Sequence, residues 1–250
     1  MKDILRQIAN LISTLIALTV NILASALPLN GQNTGEISDR FQVYFVPAGY
    51  VFAIWFLIFI GWLVFAVYQF LPAQKESPRL RRLGYLFAIS GLVNAAWLFA
   101  WHYNYFVLSV LLMLTLLGLL IASYLRLDVN RVSVSRSERW SVDIPVSIYL
   151  GWITVATVAN ITSWLYSVDW NGFGISAPVW AVIMIVVASI VGLLMALTRR
   201  DAAYLFVLVW SCIGIAVKQA DVANVAVTAW IGAGAMLILA VYGLTRRQTA

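Results

Sequence analysis

The sequence predicts an all-α, polytopic transmembrane helix bundle with eight spans. Three observations carry this expectation. The chain is 63% hydrophobic and 10% charged, whereas soluble domains carry about 25% charge. Its mean hydropathy is +0.92. Its apolar residues gather into runs close to the roughly 20 residues that cross a bilayer, with the charges held in the gaps between them.

The runs, in order, are Ile4–Leu27, Ala48–Phe70, Leu83–Tyr103, Tyr105–Leu125, Ile144–Tyr166, Ala177–Thr198, Ala202–Ala220 and Val222–Thr245. The gaps after the third and seventh are so short that their flanking helices are expected to be antiparallel neighbours. Lys2 and Arg6 precede the first run. Lys75, Arg79, Arg81 and Arg82 follow the second; Arg126, Arg131, Arg136 and Arg139 follow the fourth. Arg199 and Arg200 follow the sixth, and Arg246 and Arg247 the eighth. Fourteen of the sixteen basic residues thus fall on one side, leaving Arg40 and Lys218 on the other. The positive-inside rule puts both termini in the cytoplasm. It also accounts for the net charge of +6 without a nucleic-acid partner. The expected location is the bilayer itself, as a multi-pass protein of a bacterial cytoplasmic membrane. A secretory leader is the competing reading of Lys2, Arg6 and Ala24–Ala26, but the long apolar stretch interrupted by Asn21 favours a retained helix. Cys212, the single cysteine, reads as a small core residue.

Polar residues inside spans need partners that lipid does not offer. In the fifth span, Trp152, Ala156, Asn160 and Trp164 recur every four residues and form one stripe at 3.6 residues per turn. Ser90, Asn94, Trp97 and Trp101 make a similar stripe in the third span. Thr14, Asn21 and Ser25 do so in the first, and Trp55 lies about two turns from the outer end of the second. At 1.5 Å per residue, most of these amides and indoles reach a similar depth in the outer half of the bundle. One Asn per helix is ordinarily interhelical glue, and Trp near helix ends is ordinarily an interfacial anchor. Convergence from four helices points instead to a shared chamber. The long outer loop, Pro28 to Pro47, is placed to cover it.

These stripes carry motifs of a known family. The segment "YLGWITVATVAN" resembles the fifth-helix signature of the TspO/MBR family (translocator protein, or tryptophan-rich sensory protein), with Trp152, Ala156 and Asn160 matching in type and spacing. "SGLVNAAWLFAW" is similar to its third-helix signature, through Asn94 and Trp97. "PAGYVFAIWFLIF" resembles the entry to its second helix, with Trp55 in place but without the family's proline. The resemblance covers about Leu5 to Tyr166. It implies a five-helix core over residues 1–166 and, over 167–250, a three-helix transmembrane extension absent from short members. It further implies a pocket near the first loop that binds tetrapyrroles such as haem and protoporphyrin, or sterol-like and drug-like ligands. Light-dependent porphyrin oxidation is the most enzymatic activity it implies. The residues it assigns to the pocket are Trp55, Asn94, Trp97, Trp152, Ala156 and Asn160; the depth argument adds Asn21 and Trp101. Indoles stack on a flat macrocycle, an amide fixes its orientation, and small residues such as Gly151 and Ala156 let it approach the backbone.

The expected function is a membrane-embedded receptor or carrier for a flat hydrophobic ligand, with a bound porphyrin, haem or chlorophyll-type pigment but no required cofactor. The alternative is a structural or pigment-holding subunit of a larger membrane complex. The small residues of "WIGAGAM", Trp230–Met236, suit close helix packing, including a homodimer. His102, the single histidine, reads first as an interfacial residue and second as an axial ligand to a metal in a macrocycle. Lys218 is explained by snorkelling or by pairing with Asp221, which leaves little support for a retinal Schiff base. Every Asp and Glu lies in a loop or at a helix end, which opposes proton pumping. No hydrolase triad, phosphate loop or metal-ligand spacing is present.

Overall fold

The computed structural model describes residues 2–27 and 29–245. Arg246 and Arg247, two of the basic residues counted above, lie outside them, as do Pro28 and the side chain of Lys2. The helices, in order, are α1 (Lys2–Ala26), α2 (Thr34–Asp39), α3 (Ile54–Tyr68), α4 (Pro78–Leu83), α5 (Leu86–His102), α6 (Phe106–Arg126), α7 (Arg136–Glu138), α8 (Ile144–Ser167), α9 (Ala177–Arg199), α10 (Ala202–Lys218) and α11 (Ala223–Thr245). No strand occurs among the described residues. Every apolar run in the sequence became a helix. Six helical stretches are long and apolar enough to cross a membrane; α5 and α10, at 17 residues, are shorter. Rows of exposed Leu, Ile, Val and Phe on α1, α3, α6, α9 and α11 give the bundle an apolar exterior. This is an integral, multi-pass membrane protein.

Five helices close a ring in the order α1, α3, α8, α6, α5. The turn between α5 and α6 is as short as the sequence required, with Asn104 at φ 63°, a conformation that Asn tolerates better than most residues. Helices α9, α10 and α11 pack on one another, and α10 docks the trio onto α8. The docking surface corrects one expectation. A side chain on Gly151 would meet Val207 Cβ at 3.0 Å and the Tyr204 carbonyl oxygen at 3.3 Å. Gly151 therefore seats α10 instead of admitting a ligand. Some of the small residues of α11 are used within the chain, while Gly234 and Ala235 are exposed. Ala229 and Ala233 are buried, and Gly232 faces Ser189, Ile185 and Cys212.

The two ends of the bundle differ. At the basic end, Arg79 donates to Asp143 Oδ1 at 2.6 Å, Glu138 Oε1 at 2.8 Å and the Leu127 carbonyl at 2.7 Å. Asp201 accepts from Tyr124 at 2.8 Å and Ser147 at 2.6 Å, which ties the start of α10 to α6 and α8. Gln7 and Asn10 of α1 bond to Gln69 at the foot of α3. At the opposite end, the segment from Leu29 to Ala53 folds back over the ring. Its α2 begins with a reciprocal capping box between Asn33 and Glu36, which supplies two otherwise unpaired helix-start amides with acceptors.

Candidate functional site

Beneath that segment, hereafter the lid, lies a void of about 40 Å³. Helix α3 and the turn before it give it Trp55 and Phe52. Helix α5 gives it Trp97 and Trp101, and α8 gives it Trp152, Ala156, Asn160 and Ser163. Thr34, Ser38 and Pro47 of the lid close it. Six of the eight residues singled out from the sequence thus border one space: Trp55, Trp97, Trp101, Trp152, Ala156 and Asn160. Trp164, the fourth member of the α8 stripe, does not border it.

The walls are aromatic and of two kinds. On α5, Trp97 and Trp101 stack with centroids 6.0 Å apart and planes 19° apart. Across the void, Trp152 meets Trp55 at 6.2 Å and Phe52 at 5.6 Å, both edge-on. An aromatic guest pairs favourably with either arrangement.

The amides hold the walls in place. Asn160 accepts from Trp97 Nε1 at 3.2 Å and donates to Ser109 Oγ at 2.9 Å, linking α5, α6 and α8. Asn21 donates to Asn94 Oδ1 at 2.9 Å and to the Ala17 carbonyl at 2.8 Å. Asn94 is fully buried and borders no part of the void. The structure therefore brings Asn94 to α1, and not to the space the other residues share. The pairing is incomplete, since Asn94 Nδ2 finds no partner among the described residues, and Trp152 is a second case. Its side chain is 2% exposed, and its Nε1–H finds no partner among the described residues. A buried donor left unpaired costs about 1–3 kcal/mol, and among the described residues that line the void Trp152 carries one.

The void continues into a cleft of about 890 Å³ between α1 and α3. Asn21, Ile22 and Ser25 line one bank, and Phe56, Phe59 and Ile60 the other. Trp55, Trp97, Phe52 and Thr34 belong to both spaces. The void alone has room for water. The cleft falls within the roughly 300–1,000 Å³ of small-molecule sites. Among the described residues that line it are Glu36 and Asp39 of the lid and no basic side chain, although Lys218 pairs with Asp39.

His102 lies outside both spaces. It is fully buried, with Nδ1 2.8 Å from the Leu98 carbonyl and Nε2 3.4 Å from Thr34 Oγ1. The carbonyl can only accept, so Nδ1 carries the proton and Nε2 faces the Thr34 hydroxyl. The ring joins α5 to the lid and presents no free nitrogen to a macrocycle. No group of three His, Cys, Asp or Glu gathers among the described residues. Lys218 pairs with Asp39 of the lid, and not with Asp221 as its sequence spacing suggested.

The family model described as TSPO-like protein matches residues 7–242. The chain belongs to the TSPO-like family. The match runs through α9, α10 and most of α11, so the extension lies within what the TSPO-like model describes. No curated protein and no solved structure matches the chain significantly.

The lid contacts were the part of this site that the sequence did not name. Thr34, Ser38 and Pro47 lie in a segment without an apolar run to mark them. Ser163, by contrast, extends the 152–156–160 stripe of α8 by three residues and was legible.

Proposed function

We propose that this protein is a membrane-embedded receptor or carrier for a flat hydrophobic ligand, a tetrapyrrole being the best fit. The ligand body lies in the cleft between α1 and α3, with its inner edge against Trp55, Trp97 and Trp152. The observation that carries this reading is the unpaired indole N–H of Trp152, buried where aromatic side chains from three helices meet. The size and apolar banks of the adjoining cleft support it. A carbonyl or carboxyl oxygen on the ring edge supplies the acceptor that Trp152 lacks. Trp97 and Trp101 offer ring faces for stacking, worth about 0.5–1.5 kcal/mol each beyond area burial. All eight apolar helices cross the bilayer in this reading. The basic end faces the cytoplasm, as the positive-inside rule requires, and the lid faces outward. The membrane is the bacterial cytoplasmic one.

Titration of the purified protein with protoporphyrin tests this. Saturable quenching of tryptophan fluorescence is expected, weakened in Trp55→Ala and Trp97→Ala. Quenching that rises linearly without saturation, or that both variants leave unchanged, removes the reading.

A further inference from the structure

Resting on the ligand reading above, we infer that α10 of the extension positions the lid and so sets how long a ligand stays. Three contacts along one face of α10 reach the lid, including its last turn before α3. Trp210 Nε1 donates to the Val51 carbonyl at 3.0 Å. The Ala48 amide donates to the Gly214 carbonyl at 3.1 Å. Lys218 Nζ pairs with Asp39 at the end of α2. Positions 210, 214 and 218 are four residues apart and share a face.

Gly214 is the fulcrum. A Cβ there would collide with Val51 Cγ2 and lie 3.0 Å from Pro47 Cβ. Val51 is wholly buried, and neither a β-branched side chain nor a proline ring moves aside easily. The absence of a side chain at Gly214 lets the lid settle against α10. Pro47 borders the void itself, and Phe52, one residue beyond Val51, borders both void and cleft. On its other side the lid is held by the core. Asn30 donates to the His102 carbonyl at 3.0 Å, Trp101 Nε1 donates to the Thr34 carbonyl at 3.3 Å, and Arg40 donates to Asn104. The roof of the site is therefore strung between α5 and α10, and one of its two anchors belongs to the extension. Trp210, Gly214 and Lys218 are positioning residues: they act on the ligand through the lid, without bordering the void.

The test uses the full-length protein with Cys212→Ser and Ser38→Cys, which places a single thiol on the void-lining side of the lid at a position 6% exposed. N-ethylmaleimide then reports lid opening without any ligand. Adding Gly214→Ala is expected to raise the labelling rate about tenfold, as if the two hydrogen bonds holding the lid to α10 no longer favoured closure. Adding Val51→Ala to that variant removes the colliding methyl groups and returns the rate towards the parent. This rescue separates lid release from general loosening, because Ala in a helix interior otherwise favours the helix over Gly. Trp210→Phe deletes only the bond to Val51 and gives a second route to the same rise, about fivefold, should Gly214→Ala not fold. Labelling at the parent rate in the folded variants overturns the inference, as does a double variant as fast as Gly214→Ala alone. Protoporphyrin is expected to dissociate faster from Gly214→Ala than from the parent. If it binds to neither while labelling responds, the ligand reading fails and the role of α10 in holding the lid stands.

Discussion

The indole of Trp97 donates to the side-chain oxygen of Asn160 at 3.2 Å, so a pocket wall on α5 is oriented by an amide on α8. Asn160 in turn donates to Ser109 at 2.9 Å. Removing it with Asn160→Leu leaves the Trp97 donor without its partner in a buried setting, a loss of about 1–3 kcal/mol. Thermal unfolding in detergent is expected to show a clear drop. Asn160→Gln, which keeps the amide chemistry at a longer reach, is expected to fall less.

Trp152 predicts a change of opposite sign in stability and in binding. Phe at this position keeps an aromatic ring against Trp55 and Phe52 and deletes the orphaned N–H. The ligand-free protein is expected to be unchanged or stabilised by up to about 1 kcal/mol, because an unpaired buried donor disappears. Protoporphyrin affinity is expected to weaken about five- to tenfold, the worth of one hydrogen bond. Melting temperature and fluorescence titration on the same preparation check both signs. A variant that loses stability yet binds normally would contradict the role given to this atom.

The lip of the cleft predicts ligand preference. Among the described residues, Glu36 and Asp39 border it and no basic side chain does; Asp39 has Lys218 as its partner. A dianionic porphyrin brings like charge to these carboxylates, whereas its dimethyl ester does not. The ester is expected to bind at least as tightly as the free acid, and the gap is expected to narrow at high salt, which screens exposed charges. Markedly tighter binding of the diacid at low salt would point to cationic recognition that the lip does not contain.

At the opposite end, Arg79 reaches two carboxylates and one carbonyl, with its side chain 9% exposed and that of Asp143 3% exposed. Arg79→Leu strands Asp143 and Glu138 beside each other. Breaking a buried pair from one side costs about 3–5 kcal/mol, and low recovery of folded protein is expected. Lys keeps the charge but not the planar fork that serves three acceptors at once, so Arg79→Lys is expected to rescue only part of the loss. Replacing Arg79, Glu138 and Asp143 together by Met, Gln and Asn is expected to be milder than Arg79→Leu alone. Unfolding midpoints of the three variants rank them.

What the sequence determined by itself is the set of helices and the inward stripe. Runs of apolar residues near bilayer length have few ways to satisfy their backbones except as helices. A 3.6-residue period then fixes that Trp152, Ala156 and Asn160 share a face, wherever that face points. Tertiary structure decided the partners. Gly151 and Ala156 look alike in sequence, yet one seats α10 and the other borders the void, because they lie on different sides of the same helix. Asn94 looked like a pocket residue and pairs with Asn21; Lys218 looked like the partner of Asp221 and holds Asp39. The loop was expected to cover the chamber, but the way the lid is held was the least legible part. The lid's position depends on hydrogen bonds from α5 and α10, residues up to 179 positions apart in the chain. Local periodicity carries no information about contacts made at that separation, and these contacts decide how the site is closed.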